Sequence, residues 1–591
     1  MQQASGNQRA VAVVTAVAAA LFLGHALFFW PTWVDDAYIT FRHSRNLWHG
    51  DGLVFNPGQR VEGLTDLAWG VLLAPFSEHD PMFVAKVLGL LSSLGTVGLV
   101  GGWAHAEGLG PRGAAAALAP LVLAPWAPYW AVQGLETPVV MLLVTLAWTR
   151  YRREADGRSP WPLVALGAGA APAFRPDSAV LALLLGAWYL LRPGRRLSRR
   201  VLTSAALVIA LAAALLCTKI AWYGAILPLT WQAKRAPWPH LAGWHYLAAL
   251  FQGPWPPFAI ILGIATAFSL ASLRKRDERA LPGLVVLAWA AVAVVSNGDY
   301  FASWRLLVPA LPAAGAALGL LAARGGFAWS AAVIALTVGT LPAIAAVEGL
   351  DRAEDFPRAH LRVQAKSDAP FSPFRVSDPV VTLAESRAFP AAWVLVHTNP
   401  LETVSFNDIG LFAFVNDNPV VDPHGLTDPF MARARSKVGD RASERELRLY
   451  LLDKVHFSLV DRGSMSWEWW QRTARHDGWK VVDGCDTMVV YANPSLDRDA
   501  SGAYQHGLAE RIERAVARAP GQLGLQVAIA RELVATDADP SLVTTVLDRV
   551  RQRFPRFSEF ALPEIRCAAG LDGCPPQRDL CGGVQPASRR P

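Results

Sequence analysis

Long apolar stretches with almost no charge recur through the first 347 residues, at roughly 10–31, 81–104, 113–131, 135–150, 161–174, 177–192, 201–222, 256–272, 281–297, 306–323 and 327–347. A hydrocarbon core about 30 Å thick takes about 20 apolar helical residues to cross, so this pattern predicts about eleven transmembrane helices. The runs at 161–174 and 177–192 are each short. Joining them into one span would invert everything downstream and move the Arg-rich loop at 274–279 to the other side, so two spans are expected.

Past residue 348 the pattern changes. Asp351, Arg352, Glu354 and Asp355 open a polar region that runs to the C-terminus. Within it Trp393–Val396, Val404–Phe406, Pro419–Val421, Phe457–Val460 and Met488–Tyr491 read as short strands between turn signals, with a helical pattern at Glu444–Leu452. Residues 503–555 carry helix-period apolar positions, followed by a Pro/Gly/Cys-containing tail. The expected division is a transmembrane part at 1–347, an α/β domain at 348–498, and a helical appendage with its Cys-containing tail at 499–591.

Composition agrees with a membrane protein: 52% of residues are hydrophobic, 17% are charged, and the mean hydropathy is +0.26. The net charge of +7 does not imply nucleic acid, because the relevant Arg residues lie in short loops between apolar runs and report orientation. Residues 10–31 exceed a signal-peptide core and end in Phe28-Phe29-Trp30-Pro31 without a small-residue cleavage pattern, so a retained span is expected. A cytoplasmic N-terminus then places Arg150–Arg158, Arg192–Arg200 and Arg274–Arg279 inside. An odd number of spans puts the polar C-terminal region outside, in a bacterial inner (plasma) membrane. Trp30, Trp33, Trp126, Trp130, Trp222 and Trp304 fall near the outer ends, as interfacial anchors do, with sugar stacking as the other reading. Of five cysteines, Cys217 lies in a predicted span, whereas Cys485, Cys567, Cys574 and Cys581 face the oxidising side; disulfides are expected over a metal knuckle, since no His lies near. No nucleotide phosphate loop or dinucleotide fingerprint is present, so no cofactor is implied and dependence on a divalent metal stays open.

Candidate chemistry concentrates after the first span, in Asp35–Trp69. Two adjacent carboxylates where an apolar helix meets water are costly to keep near lipid, which points to function. Capping the helix that follows is the alternative for one of them. The pieces Asp35-Asp36-Ala37-Tyr38-Ile39, Phe41-Arg42, Asn46-Leu47, His49-Gly50, Gly52-Leu53-Val54, Asn56-Pro57-Gly58 and Val61-Glu62-Gly63 resemble the first extracytoplasmic loop of a bacterial family of polytopic glycosyltransferases. Its best-known members are the mycobacterial cell-wall terminal arabinofuranosyltransferases, of the type C glycosyltransferase fold. Gln133-Gly134-Leu135-Glu136-Thr137, the Tyr223–Lys234 loop, Asn297-Gly298-Asp299-Tyr300 through Arg305, Asn407-Asp408-Ile409-Gly410 and His424–Asp428 resemble further blocks of it. Leu229 and Asp66 stand where the family has Asn.

The resemblance implies an α-helical polytopic membrane protein with a C-terminal extracytoplasmic α/β domain, transferring a sugar, arabinofuranose in the family, from a polyprenyl-phosphate donor to an extracytoplasmic cell-envelope glycan. It marks Asp35 and Asp36 as the catalytic pair, with Asp35 preferred as base because Asp36 is better placed to cap. Lys234 and Arg305 are implied to bind the donor phosphate, with Arg175 as a further candidate for which a local ion pair with Asp177 is the alternative. Glu62, Glu136, Asp299, Tyr38, Arg42 and His424 form the sugar- or acceptor-binding set. Donor sugar, acceptor and oligomeric state are not fixed by sequence. A lipid-linked glycan flippase and a non-catalytic glycan-binding scaffold remain as rivals.

Overall fold

The computed structural model describes residues 2–156, 162–191, 198–233, 241–252, 256–274, 277–299, 304–341, 382–435, 441–461, 467–484, 488–496, 507–536 and 538–553, with two-residue strands at 363–364 and 375–376. Lys234 and the cysteines 485, 567, 574 and 581 lie outside the described residues, whereas Cys217 is an exposed free thiol.

Six helices among the described residues are long and apolar enough to cross a bilayer, within Asn7–Phe28, Pro81–Ala106, Arg199–Tyr223, Pro256–Leu273, Glu278–Val295 and Arg305–Val338. This is a multi-pass membrane protein. The other apolar runs form the helices Gly110–Val122, Thr137–Ala155, Leu163–Phe174 and Ala179–Leu190. The 3₁₀ turn Pro176–Ser178 separates the last two, each of 12 residues. Between the runs at 306–323 and 327–347, Gly326 breaks Leu311–Val338 into two helices, with a φ of 72° that only glycine adopts without strain.

Small residues set the closest helix crossing. A Cβ on Gly315 would lie 2.1 Å from the Ala117 carbonyl oxygen, and one on Gly319 would lie 2.7 Å from the Ala117 Cβ. Bulk at either position would force Gly110–Val122 away from Leu311–Val338, and close backbone approach is what holds helices together where lipid supplies no hydrophobic contrast. Helix Arg199–Tyr223 is the opposite case. Its one buried residue is Lys219.

The polar region contains a five-stranded sheet with strands β1 (Val404–Ser405), β2 (Val420–Val421), β3 (Phe457–Asp461), β4 (Lys480–Gly484) and β5 (Met488–Ala492). Their order is β2-β1-β3-β5-β4, with β1 parallel to β2 and β3 and the β3–β5–β4 part antiparallel. Trp393–Val396, expected as a strand, instead ends helix Thr382–His397. All four side chains are buried there, and a short run buried on every side has no periodicity to separate strand from helix. Helices Leu508–Arg518, Leu523–Ala535 and Pro540–Arg553 follow.

The aromatic-belt expectation needs correction. Trp33, Trp126, Trp130 and Trp304 are buried rather than exposed at a lipid boundary. Trp126 stacks on Phe258 at 4.0 Å, and the Arg305 guanidinium lies 5.8 Å from the Trp130 ring centre.

Candidate active site

Helix Asp36–Trp48 carries two functional stripes. Asp35, Tyr38, Arg42 and Arg45 recur at helical spacing along one of them, and all four meet the C-terminal region. The Asp35 carboxylate accepts from the Gly410 and Leu411 N–H groups, at 2.9 and 3.0 Å. A Cβ on Gly410 would sit 2.1 Å from the Asp35 carbonyl oxygen, which explains glycine in the Asn407–Gly410 motif. Asp35 does not cap the helix: at the N-cap position it has helical φ/ψ of −60° and −38° and no side-chain cap bond. Its side chain is committed to another segment instead.

Tyr38 is buried between Trp33, Phe41 and Phe414, and its hydroxyl accepts from Gln522 Nε2 at 2.9 Å. Arg42 is fully buried and spends its donors on the Phe55, Ala413, Asn416 and Asn418 carbonyls and on Asn56 Oδ1. Both residues were expected to touch sugar or acceptor; the structure places them as bolts between this helix and residues 413–418. Arg45 donates to the Phe414 carbonyl at 2.6 Å and pairs with Asp417, which also binds Arg518 at 2.9 Å. Arg518 in turn reaches Glu78 at 3.1 Å. The Asn56 amide accepts from the Val420 N–H and donates to its carbonyl, at 3.1 and 2.8 Å, covering the edge strand β2.

The second stripe is Asp36, Thr40 and Ser44, of which Thr40 and Ser44 meet the Asp66–Gly70 segment. Thr40 Oγ1 donates to Asp66 Oδ2 at 2.8 Å, and Ser44 Oγ donates to the Gly70 carbonyl at 2.8 Å. Asp36, one turn before Thr40, is half-buried. Around Asp66 lies a cluster of charges. Glu136 accepts from Arg175 Nη1 at 3.0 Å, Arg175 Nε donates to Asp177 at 2.9 Å, and Arg305 Nε donates to Asp299 at 2.9 Å. The Trp69 indole N–H bonds the Gly134 carbonyl at 3.0 Å, pinning the Glu136 turn beside Asp66. Burial pushes the Asp66 carboxyl up to about 7, the Glu136 charge adds to this, and the Thr40 bond and Arg305 oppose it. Burial and the Asp299 charge push the Tyr246 hydroxyl well above its usual range. Arg175, Arg305, Glu136 and Asp299 are thus brought together, with Asp66, Asp177 and Tyr246 as members that the sequence reading had not placed in the site.

Glu62 lies in a third group. It is buried and pairs with Lys219 Nζ at 2.9 Å, while its backbone carbonyl accepts from the Leu229 N–H at 3.0 Å. Burial raises the Glu62 carboxyl, against the pull of Lys219. The Tyr223 hydroxyl donates to the Leu53 carbonyl at 2.7 Å, so the end of helix Arg199–Tyr223 is fastened to the outer loop. His424 sits beside this group: Asp422 accepts from the His424, Leu426 and Thr427 N–H groups, and a Cβ on Gly63 would lie 2.7 Å from Thr427. Lys219 was missed because it falls inside a predicted span.

The fold is that of a multi-pass helical membrane protein. The structure resembles ArnT from Cupriavidus metallidurans in the apo state, with a TM-score of 0.50, 14% identity, and coverage of 82% of this chain and 98% of that one. The chain is similar to the terminal beta-(1->2)-arabinofuranosyltransferase of Mycobacterium tuberculosis, 31% identical over 302 residues, which is 46% of each chain. It is also similar to the protein of the same name from Corynebacterium glutamicum, 27% identical over 347 residues, 50% of each. The chain therefore spans about half the length of the curated relatives it matches. A family model described as a domain of unknown function (DUF8728) matches residues 382–502.

Proposed function

We propose that this protein is a membrane glycosyltransferase that moves a sugar from a polyprenyl-phosphate donor to an extracytoplasmic cell-envelope glycan. The observation that carries the reading is the half-buried Arg175–Arg305 group gathered around Asp66, which Thr40 of helix Asp36–Trp48 bonds. Two guanidiniums held by carboxylates at the mouth of an apolar bundle suit a phosphate whose lipid tail stays in the bilayer. The names of the curated relatives support a pentofuranose, arabinose, as the sugar. A lipid-linked donor also fits an outer site, because nucleotide sugars are absent outside the cell.

In this mechanism Asp36 takes the proton from an acceptor hydroxyl as its oxygen attacks the anomeric carbon. The bond from that carbon to the phosphate oxygen breaks, and the polyprenyl phosphate leaves with the electron pair, stabilised by Arg175 and Arg305. Lys234, outside the described residues, is the third cation of the clamp. Asp35 serves to hold the loop at Gly410 rather than to carry the proton. Glu62 and His424 line the acceptor side, and Glu136 and Asp299 orient the arginines.

The topology that accompanies this reading has about eleven spans in residues 1–347, a cytoplasmic N-terminus, and an extracytoplasmic α/β domain (348–498) with its appendage (499–591) in a bacterial inner membrane. Purified protein incubated with polyprenyl-phosphate arabinose and an acceptor glycan should release polyprenyl phosphate only when the acceptor is present. Binding of the donor without acceptor-dependent release would return the flippase and scaffold readings. Labelling by an impermeant reagent of a cysteine introduced at Ser198 in intact cells would overturn the orientation.

A further inference from the structure

Three side chains from three separate elements converge far from the charge cluster. His397 ends helix Thr382–His397, Asp483 lies on β4, and Glu532 lies in helix Leu523–Ala535. One donor atom from each falls within 4.8 Å of the other two. His397 Nε2 and Glu532 Oε2 are 2.9 Å apart.

The surroundings fix these groups before any ligand arrives. The His397 ring stacks on the Trp393 indole, with centres 4.9 Å apart and planes 14° from parallel. The same indole donates its N–H to Asp483 Oδ2 at 2.7 Å. One tryptophan therefore orients both the imidazole and a carboxylate, as the outer partners of metal ligands do. The register of β4 shifts between Val481 and Asp483, and such bulges re-aim a side chain.

We propose that His397, Asp483 and Glu532 bind a divalent cation of the zinc class. Bonds of about 2.0–2.2 Å put donor atoms roughly 3–4 Å apart, so the three side chains need only a small contraction. Two carboxylates neutralise a dication, whereas against one imidazole alone they leave excess negative charge. An imidazole nitrogen in the set favours zinc over calcium or magnesium, which take oxygen. The ion ties the helical appendage to the sheet's edge strand and to helix Thr382–His397, and water fills its remaining positions. This assignment does not depend on glycosyl transfer.

The test uses full-length protein in detergent with all five cysteines replaced by serine, which removes the competing thiol sites. After chelation and dialysis, zinc chloride should bind with one equivalent by elemental analysis, change the tryptophan fluorescence and raise the unfolding temperature. Asp483→Asn keeps an oxygen for the Trp393 N–H, so it should fold normally in the metal-free state while affinity drops by roughly tenfold or more. Glu532→Gln should do the same. Failure of the cysteine-free protein to take up zinc, or unchanged zinc affinity in both Asp483→Asn and His397→Ala, would overturn the site. Tighter uptake of magnesium or calcium than of zinc would overturn the choice of ion.

Discussion

Two buried charged groups flank the same helix and solve burial in opposite ways. On the Asp35 side, Arg42 ends mainly on backbone carbonyls, Arg45 on the Phe414 carbonyl as well as on Asp417, and Asp35 on backbone N–H groups. On the Asp36 side, Arg175 and Arg305 end on Glu136, Asp177 and Asp299, and Asp66 has a carboxyl shifted to about 7. A charge matched to fixed backbone groups is locked into one geometry. A charge matched to other side chains can exchange partners when a ligand arrives. The first arrangement is therefore a fastening, and the second is where binding and proton transfer belong.

The sharpest way to break this contrast is to neutralise each aspartate. Asp36→Asn should lower turnover about 10²–10⁴-fold with little change in unfolding temperature. Asp35→Asn should do the reverse, lowering unfolding temperature while leaving most of the turnover. Swapped outcomes would assign the base to Asp35. Next in size, Arg42→Met should destabilise by about 3–5 kcal/mol, since it strands several buried carbonyls, and the measurement is the yield and melting of detergent-solubilised protein. Arg305→Gln belongs to the exchangeable group and should instead weaken donor binding by about 1.5–3 kcal/mol, roughly 10–100-fold, with a normal melt.

Asp66 gives a pH test. Its folded carboxyl sits at about 7, above an unfolded value near 3.9, so the fold favours the neutral form. The stability it contributes is present below pH ~4 and is lost as pH rises to about 7. Asp66→Asn should flatten that part of the melting-temperature profile, and a slope unchanged from wild type would remove Asp66 from the titration. The smallest effect is expected at the fastening's edge, where Gln522→Ala removes one bond to Tyr38 and should cost about 1 kcal/mol.

Local signals in the chain were read well. The short apolar runs at Phe457 and Met488 between turn signals form strands, and the carboxylate pair stands where a helix begins. What escaped the sequence depends on partners remote along the chain. Tyr38 and Arg42 looked like ligand-binding groups because polar side chains near a membrane mouth usually face something; only the fold shows that residues 413–418 and 522 are what they face. Asp66 was visible merely as a departure from the family's Asn. Its neighbour Glu136 and the arginines arrive from other loops, so its altered acidity had no local signature. Lys219 was hidden by apolar neighbours that supply the span signal.

That lysine constrains how the molecule is made. Helix Arg199–Tyr223 offers lipid an almost wholly apolar surface, and its single buried side chain is a cation whose counter-charge, Glu62, was synthesised much earlier. An unpaired lysine in a newly inserted helix costs up to about 2.5–3.5 kcal/mol at the bilayer centre and less toward the end where Lys219 lies. The Lys219–Glu62 pair and the Tyr223 bond to Leu53 therefore couple the docking of this helix to the folding of residues 52–63, so each is less stable without the other.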